Sequence, residues 1–269
     1  MQIILKKNTS GLDLFISKCF QKISQFLWRQ HTKIIKIFNR FFYNQSNRDS
    51  EFLEKGLKIG RLPEDQTAAL QNILRNVPVR KIQAEDFYPG YINNPYIEDS
   101  ISDFESSFRF YEFSNEVETL SSVLTPLSSK VKACLGYPVR IVNVRCWGIS
   151  PKTPEMGPNA WHTDHFADGI NKILIYLTPA NSEMGTTEIQ LRDNSVCSLD
   201  GPAGSWVLFN PSEFVHRGIS PSTGERIIME ITIAPSFRGN LRPVFAGLNA
   251  SYPWFPWTKA KAQLNPFHG

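Results

Sequence analysis

Residues 204–233 read Gly-Ser-Trp-Val-Leu-Phe-Asn-Pro-Ser-Glu-Phe-Val-His-Arg-Gly-Ile-Ser-Pro-Ser-Thr-Gly-Glu-Arg-Ile-Ile-Met-Glu-Ile-Thr-Ile. Two runs rich in β-branched and aromatic residues, 205–210 and 226–233, flank turns built from Pro, Ser, Asn and Gly. The first run ends in a polar turn that presents His216 at the lip of a strand. The second turn, 220–224, predicts that the next strand folds back beside the one ending near His216. On that strand Arg226, Ile228, Glu230 and Thr232 share one face, and Ile227, Met229, Ile231 and Ile233 the other. Segments 139–147, 172–178 and 186–191 have the same composition. Several short strands at close intervals, following helices, predict an antiparallel sandwich or barrel with helices outside, an α+β fold with a mainly β core.

Working outward, Glu64–Asn76 reads as a helix entered after Pro63 and stopped before Pro78. Residues 116–135 read as a second helix, broken near Pro126. Residues 84–103 read as an irregular loop, and 44–52 as a polar linker. The chain divides into an arm and linker (1–50), a main domain (51–240) and an aromatic tail (241–269). Residues 10–43 have helical spacing of apolar residues from Leu12 to Phe41, with a capping-box-like Ser10-x-x-Asp13 at the start. The opposite face carries Lys18, Lys22, Arg29, Lys33, Lys36 and Arg40. Three readings of this N-terminal amphipathic helix stay open: peripheral contact with an anionic membrane, packing on the body or a partner subunit, and organellar targeting.

Charge follows the same division. The chain carries a net charge of +4, yet residues 1–45 hold eight Lys/Arg against one acid, so the remainder is net negative. A body without its own basic face excludes a nucleic-acid partner. The four cysteines are far apart and form no zinc or disulfide pattern. No apolar run is long enough to span a bilayer. A cytoplasmic protein, soluble or peripheral to a membrane, is expected.

The chemistry concentrates around Trp161-His162-Thr163-Asp164-His165. In an extended segment His162 and Asp164 point to the same side, so both can reach one metal ion. His216 supplies a third ligand. Two His and one carboxylate on one face of an octahedral ion leave the opposite face open, the arrangement of non-haem Fe(II) oxygenases. Ten residues beyond His216, Arg226 stands on an otherwise apolar strand, where it is costly unless paired. A carboxylate held bidentately is its natural partner, and the distal carboxylate of 2-oxoglutarate would serve. Tyr176 is a second candidate contact to the oxoacid, against the alternative of a core tyrosine. Arg145 pairs with Glu230 or meets an anionic substrate. His165 reads as surface or supporting, His31 and His268 as unspecialised, and Trp161 as a pocket wall or a core residue.

The H-x-D pair, the distal His and the Arg ten residues later resemble the 2-oxoglutarate/Fe(II)-dependent dioxygenases. Gly204–Phe209 leading to Val215-His216-Arg217-Gly218 is similar to the phytanoyl-CoA dioxygenase-like branch. So is Leu57-x-x-Gly60-x-Leu62-Pro63 running into a helix, although Glu183-Met184-Gly185 stands where that branch usually carries Asn-Gly. The resemblance spans about residues 52–235. It implies a double-stranded β-helix (jelly-roll), Fe(II) on His162, Asp164 and His216, 2-oxoglutarate on Arg226, and ascorbate as reductant. The implied activity is hydroxylation of a C–H bond in a small-molecule or lipid-like substrate, releasing succinate and carbon dioxide. Asp164 favours hydroxylation over halogenation, because related halogenases lack that carboxylate. Two other classes stay open: a zinc hydrolase using the same ligands, and a non-catalytic binding module. The tail and the 84–103 loop, through Tyr91, Tyr96, Trp254 and Trp257, are candidates to cover the pocket as a lid.

Overall fold

The computed structural model describes residues 30–39, 48–81, 107–111, 124–151, 157–164 and 169–236, with isolated positions at 23, 26, 27, 41, 120, 153, 155 and 166. The start of the arm, the 84–103 loop, His165, His268 and the aromatic tail lie outside the described residues. In chain order the elements are α1 (Ser50–Lys55), β1 (Leu57–Arg61), α2 (Glu64–Asn76), β2 (Val79–Lys81), β3 (Phe108–Tyr111), α3 (Leu127–Leu135), β4 (Val139–Ile149), β5 (Asn171–Tyr176), β6 (Thr187–Gln190), β7 (Val196–Ser198), β8 (Ser205–Phe209), β9 (His216–Gly218) and β10 (Arg226–Pro235).

Local chemistry sets the helix ends. Asp49 caps α1 by accepting from the Phe52 N–H, and Gly56 closes it in the left-handed region at φ 74°. This helix begins inside the segment expected to be a linker, because an Asp cap outweighs the polar composition around it. α2 has the predicted bounds, with Pro63 before it and Glu64 and Asp65 in its first turn, where the helix dipole favours them. α3 starts after Pro126, the expected break, and Gly136 ends it.

The strands form two antiparallel sheets, one ordered β1-β8-β5-β10-β4-β3-β2 and the other β7-β6-β9. Side chains alternate between two apolar layers. Ile173, Ile175, Trp206, Leu208, Met229, Ile231 and Ile233 face α2 and α3, packing on Leu70, Ile73, Leu74, Val131 and Leu135. Their neighbours Leu174, Tyr176, Val207, Phe209 and Ile228 turn the other way, onto Ile189 and Phe214. Helices cover one face of the large sheet and the small sheet covers the other. From β4 onward the chain passes back and forth between the two sheets, which is the winding of a jelly-roll core.

One expectation is corrected. β10 does not return beside the strand ending near His216. It inserts between β5 and β4, pairing Ile228 with Tyr176 on one side and Glu230 with Arg145 on the other. β9 pairs instead with β6 in the small sheet. A strand apolar on both faces is stable where both faces and both edges are covered, and the 219–225 turn carries the chain across to that position.

Of the arm, residues 30–39 are helical. Thr32, Ile35 and Asn39 form the buried stripe, and Asn39 Nδ2 donates to the Ser236 carbonyl at 3.1 Å. The apolar residues Ile34, Ile37 and Phe38 are about half exposed, as are Ile23, Phe26 and Leu27. Over residues 30–39 the arm therefore packs through Thr32, Ile35 and Asn39, while Ile34, Ile37 and Phe38 stay outside that stripe. Among the described residues no helix is long and apolar enough to cross a membrane.

Candidate metal centre and oxoacid pocket

His162 and His216 face each other as an antiparallel backbone bridge. The His162 N–H donates to the His216 carbonyl at 3.0 Å, and the His216 N–H returns a bond to His162 at 2.9 Å. The Asp164 N–H donates to the Pro211 carbonyl at 2.8 Å, and Ser212 Oγ accepts from Phe166 N–H at 3.1 Å. The H-x-D segment is thus sewn by main chain to the turn that precedes His216. The three side chains converge: one ligand atom from each of His162, Asp164 and His216 lies within 4.8 Å of the others.

The imidazoles are set up to bind a cation. His162 Nδ1 lies 2.8 Å from the Ala160 carbonyl, and His216 Nδ1 lies 3.0 Å from the Phe214 carbonyl. A carbonyl can only accept, so in each ring Nδ1 carries the proton and Nε2 keeps its lone pair for a metal. Burial, with the neighbouring Lys172 charge, lowers the His216 pKa to about 4, so the ring is neutral at physiological pH. Two imidazole nitrogens and one carboxylate are a donor set that Fe(II) accepts.

The predicted anchor lies in the same inter-sheet layer. Arg226 is 2% exposed, and its Nη1 donates to the Thr186 carbonyl. Burial lowers its pKa to about 10, and no carboxylate among the described residues pairs with it. Arg226 Nε, Tyr176 Oη and Thr186 Oγ1 are buried without a hydrogen-bond partner, although Thr186, Thr187 and Arg226 all border the Tyr176 hydroxyl. Burial raises the pKa of that hydroxyl, so it stays protonated and able to donate. Gly218 makes room for the guanidinium: a Cβ there would sit 2.5 Å from Arg226 Nη2 and 2.7 Å from Asn159 Oδ1. Three buried polar groups, one of them cationic, describe a cradle for an anion with several acceptor oxygens.

Other candidates sort clearly. Arg145 Nη2 donates to Glu230 Oε1, the ion-pair alternative. Trp161 is 40% exposed, so it is not a core residue; the Arg217 guanidinium lies 4.6 Å over its ring. Lys172, which sequence reasoning passed over, is buried with Nζ 2.6 Å from Asp164 Oδ2 and 3.0 Å from Glu230 Oε2. Its only sequence signal is a cation at the head of an apolar strand.

No family model and no curated protein matches the sequence. Solved structures do resemble it. The epimerase SnoN in complex with Fe3+, alpha ketoglutarate and nogalamycin RO is 11% identical, over 68% of this chain and 80% of that one, with a TM-score of 0.50. HygX from Streptomyces hygroscopicus, with nickel, 2-oxoglutarate and hygromycin B bound, is 15% identical over 73% and 90%, with a TM-score of 0.47. A prolyl hydroxylase from Trichoplax adhaerens, in complex with a hypoxia inducible factor peptide fragment, is 17% identical over 85% and 95%, with a TM-score of 0.49. At these identities the likeness, carried by SnoN, is one of fold.

Proposed function

We propose that this chain is a non-haem Fe(II), 2-oxoglutarate-dependent oxygenase that hydroxylates a C–H bond of a small-molecule or lipid-like substrate. One observation carries the reading: a two-His, one-carboxylate cluster stands in the same inter-sheet layer as a buried arginine that lacks a carboxylate partner. His162 Nε2, Asp164 and His216 Nε2 would hold iron. Arg226, with Tyr176 and Thr186 beside it, would hold the distal carboxylate of 2-oxoglutarate. When bound, iron and the oxoacid would activate dioxygen, the oxidant that hydroxylates an unactivated C–H bond, with succinate and carbon dioxide as co-products. The chain fixes the ligand geometry through the His162–His216 bridge, orients the oxoacid and excludes water with the Leu174, Val207 and Ile228 layer.

The fold shared with SnoN, itself solved with Fe3+ and alpha ketoglutarate, is compatible with this reading. An epimerase on that fold means that architecture does not select hydroxylation; Asp164 favours it over halogenation alone. Kinship with the phytanoyl-CoA dioxygenase-like branch is supported by its two motif segments pairing as β1 and β8, Gly60 against Trp206. A zinc hydrolase is disfavoured, since Glu230, which shares Lys172 with Asp164, is already taken by Arg145 and Lys172. A binding module would not need the waiting arginine. Fe(II) chemistry and the free thiols of Cys134 and Cys146 suit a reducing cytoplasm. Exposed Ile34, Ile37 and Phe38 on a basic arm support peripheral contact with anionic membranes. Flotation with anionic vesicles, with and without residues 1–45, tests this, and no flotation of the full chain refutes it.

The deciding assay is succinate release from 2-oxoglutarate with Fe(II), ascorbate and oxygen, comparing wild type with His216→Ala. Iron-dependent succinate lost in the variant is expected. Folded, iron-loaded wild type that neither forms succinate nor binds 2-oxoglutarate would refute the assignment.

A further inference from the structure

Lys172 has no part in the ligand set, yet its ammonium lies against one of its members, Asp164. It sits on β5 facing between the sheets, level with Thr232 of β10 and Phe209 of β8. Its side chain is 7% exposed and its ammonium ion-pairs with two carboxylates, Asp164 Oδ2 at 2.6 Å and Glu230 Oε2 at 3.0 Å. Glu230 already has a cation in Arg145 and does not need a second for neutrality. The shorter contact is the one to Asp164. The other oxygen of that carboxylate, Oδ1, is the one turned to His162, 3.8 Å from Nε2.

We propose that Lys172 is a positioning residue of the metal centre: by occupying Asp164 Oδ2 it presents Oδ1 alone to the metal and keeps the carboxylate one-pronged. The inference rests on the metal reading above. Its consequence is a matter of counting positions on an octahedral ion. Two imidazoles and one carboxylate oxygen leave three positions; a chelating oxoacid takes two and one stays free. If Asp164 used both oxygens, the oxoacid would fill the rest and no position would remain for a third small ligand. Partners that orient metal ligands are typically worth about 10–100-fold in affinity or activity. Here the effect falls on the number of open positions.

Mn(II) is a redox-quiet probe whose exchangeable waters are read by water-proton relaxation. The full chain is loaded with Mn(II) and saturating 2-oxoglutarate, as wild type and as Lys172→Met, a side chain of similar length without charge. Wild type is expected to keep the enhancement of one exchangeable water, and the variant to lose most of it, with far-ultraviolet circular dichroism unchanged. Equal enhancement in the two proteins overturns the inference. Should Lys172→Met fail to fold, Lys172→Leu, which also lacks a donor, replaces it under the same criterion. Glu230→Gln keeps the ammonium on Asp164 and is expected to keep the water; its loss there would assign the effect to general disturbance of the ion-pair cluster and also overturn the inference. Wild type that binds no Mn(II) would instead refute the metal reading itself.

Discussion

Replacing Arg226 with methionine should make the unliganded protein more stable while abolishing its affinity for 2-oxoglutarate. Burial holds the guanidinium pKa at about 10 against an ordinary 12.5. At about 1.36 kcal/mol per pH unit, the charge is therefore roughly 3 kcal/mol more costly in the folded chain than in water. Methionine fills much of the same volume without charge. It removes one of the two donors to the Thr186 carbonyl, which keeps the Ile219 N–H at 2.7 Å; that loss costs about 1 kcal/mol. The balance is a gain of roughly 2 kcal/mol, a rise in Tm of about 4–8 °C for a chain of this size. Removing the cation from a buried charge pair costs about 3–5 kcal/mol, so 2-oxoglutarate should bind more than about 100-fold more weakly. Denaturant unfolding of metal-free protein measures the first effect, and calorimetry on Mn(II)-loaded protein the second. A variant less stable than wild type by 2 kcal/mol or more would show that Arg226 is satisfied without a ligand. The argument for a waiting anchor would then collapse.

The same pocket yields narrower expectations. Gly218→Ala places a methyl group against the Arg226 guanidinium and Asn159; overpacking of about 1–3 kcal/mol should weaken 2-oxoglutarate binding at least about fivefold while Mn(II) affinity holds, and equal loss of both would contradict it. Tyr176→Phe removes one buried donor and should weaken 2-oxoglutarate by about 1–2 kcal/mol, with unchanged calorimetric affinity as the contrary result. His216 carries a sign that can be worked out: its folded pKa is about 4 against 6.5 when unfolded. Between those values the unfolded chain holds the extra proton, so metal-free stability should fall by roughly 3 kcal/mol as pH drops from 6.5 to 4. His216→Gln should lack that component, and parallel pH profiles for the two proteins would refute the assignment.

The convergence of His162, Asp164 and His216 was legible because its chemistry is local. H-x-D on an extended segment fixes the side on which two ligands fall, and a His at a strand lip followed by a lone Arg needs no knowledge of tertiary structure. α2 was legible to the residue because Pro63 and Pro78 bracket it. The position of β10 was not, since a Pro-Ser-Thr-Gly turn announces a reversal without naming the sheet that receives the strand. β2, β3 and β7 run for three or four residues, too short for a period of two to stand out. Lys172 escaped for a different reason. Its partners, Asp164 and Glu230, come from a loop and a strand, and only the register of β5 against β10 brings the three together.

The strand that closes the described body is also its centre. β10 lies between β5 and β4, so before it docks the large sheet exists only as two halves, β1-β8-β5 and β4-β3-β2. Arg226 and Glu230 ride on that strand, and Lys172 and Arg145 gain their shared carboxylate only when it arrives. Non-local pairing of this kind is slow to form, and during synthesis it must wait for the segment to leave the ribosome. A chain still being made, or one stalled before residue 226, has the H-x-D segment but neither the cradle nor the finished wall. Under the proposed oxygenase reading, oxidative competence would be tied to completion of the fold, and a half-folded chain would be denied the means to activate oxygen against itself.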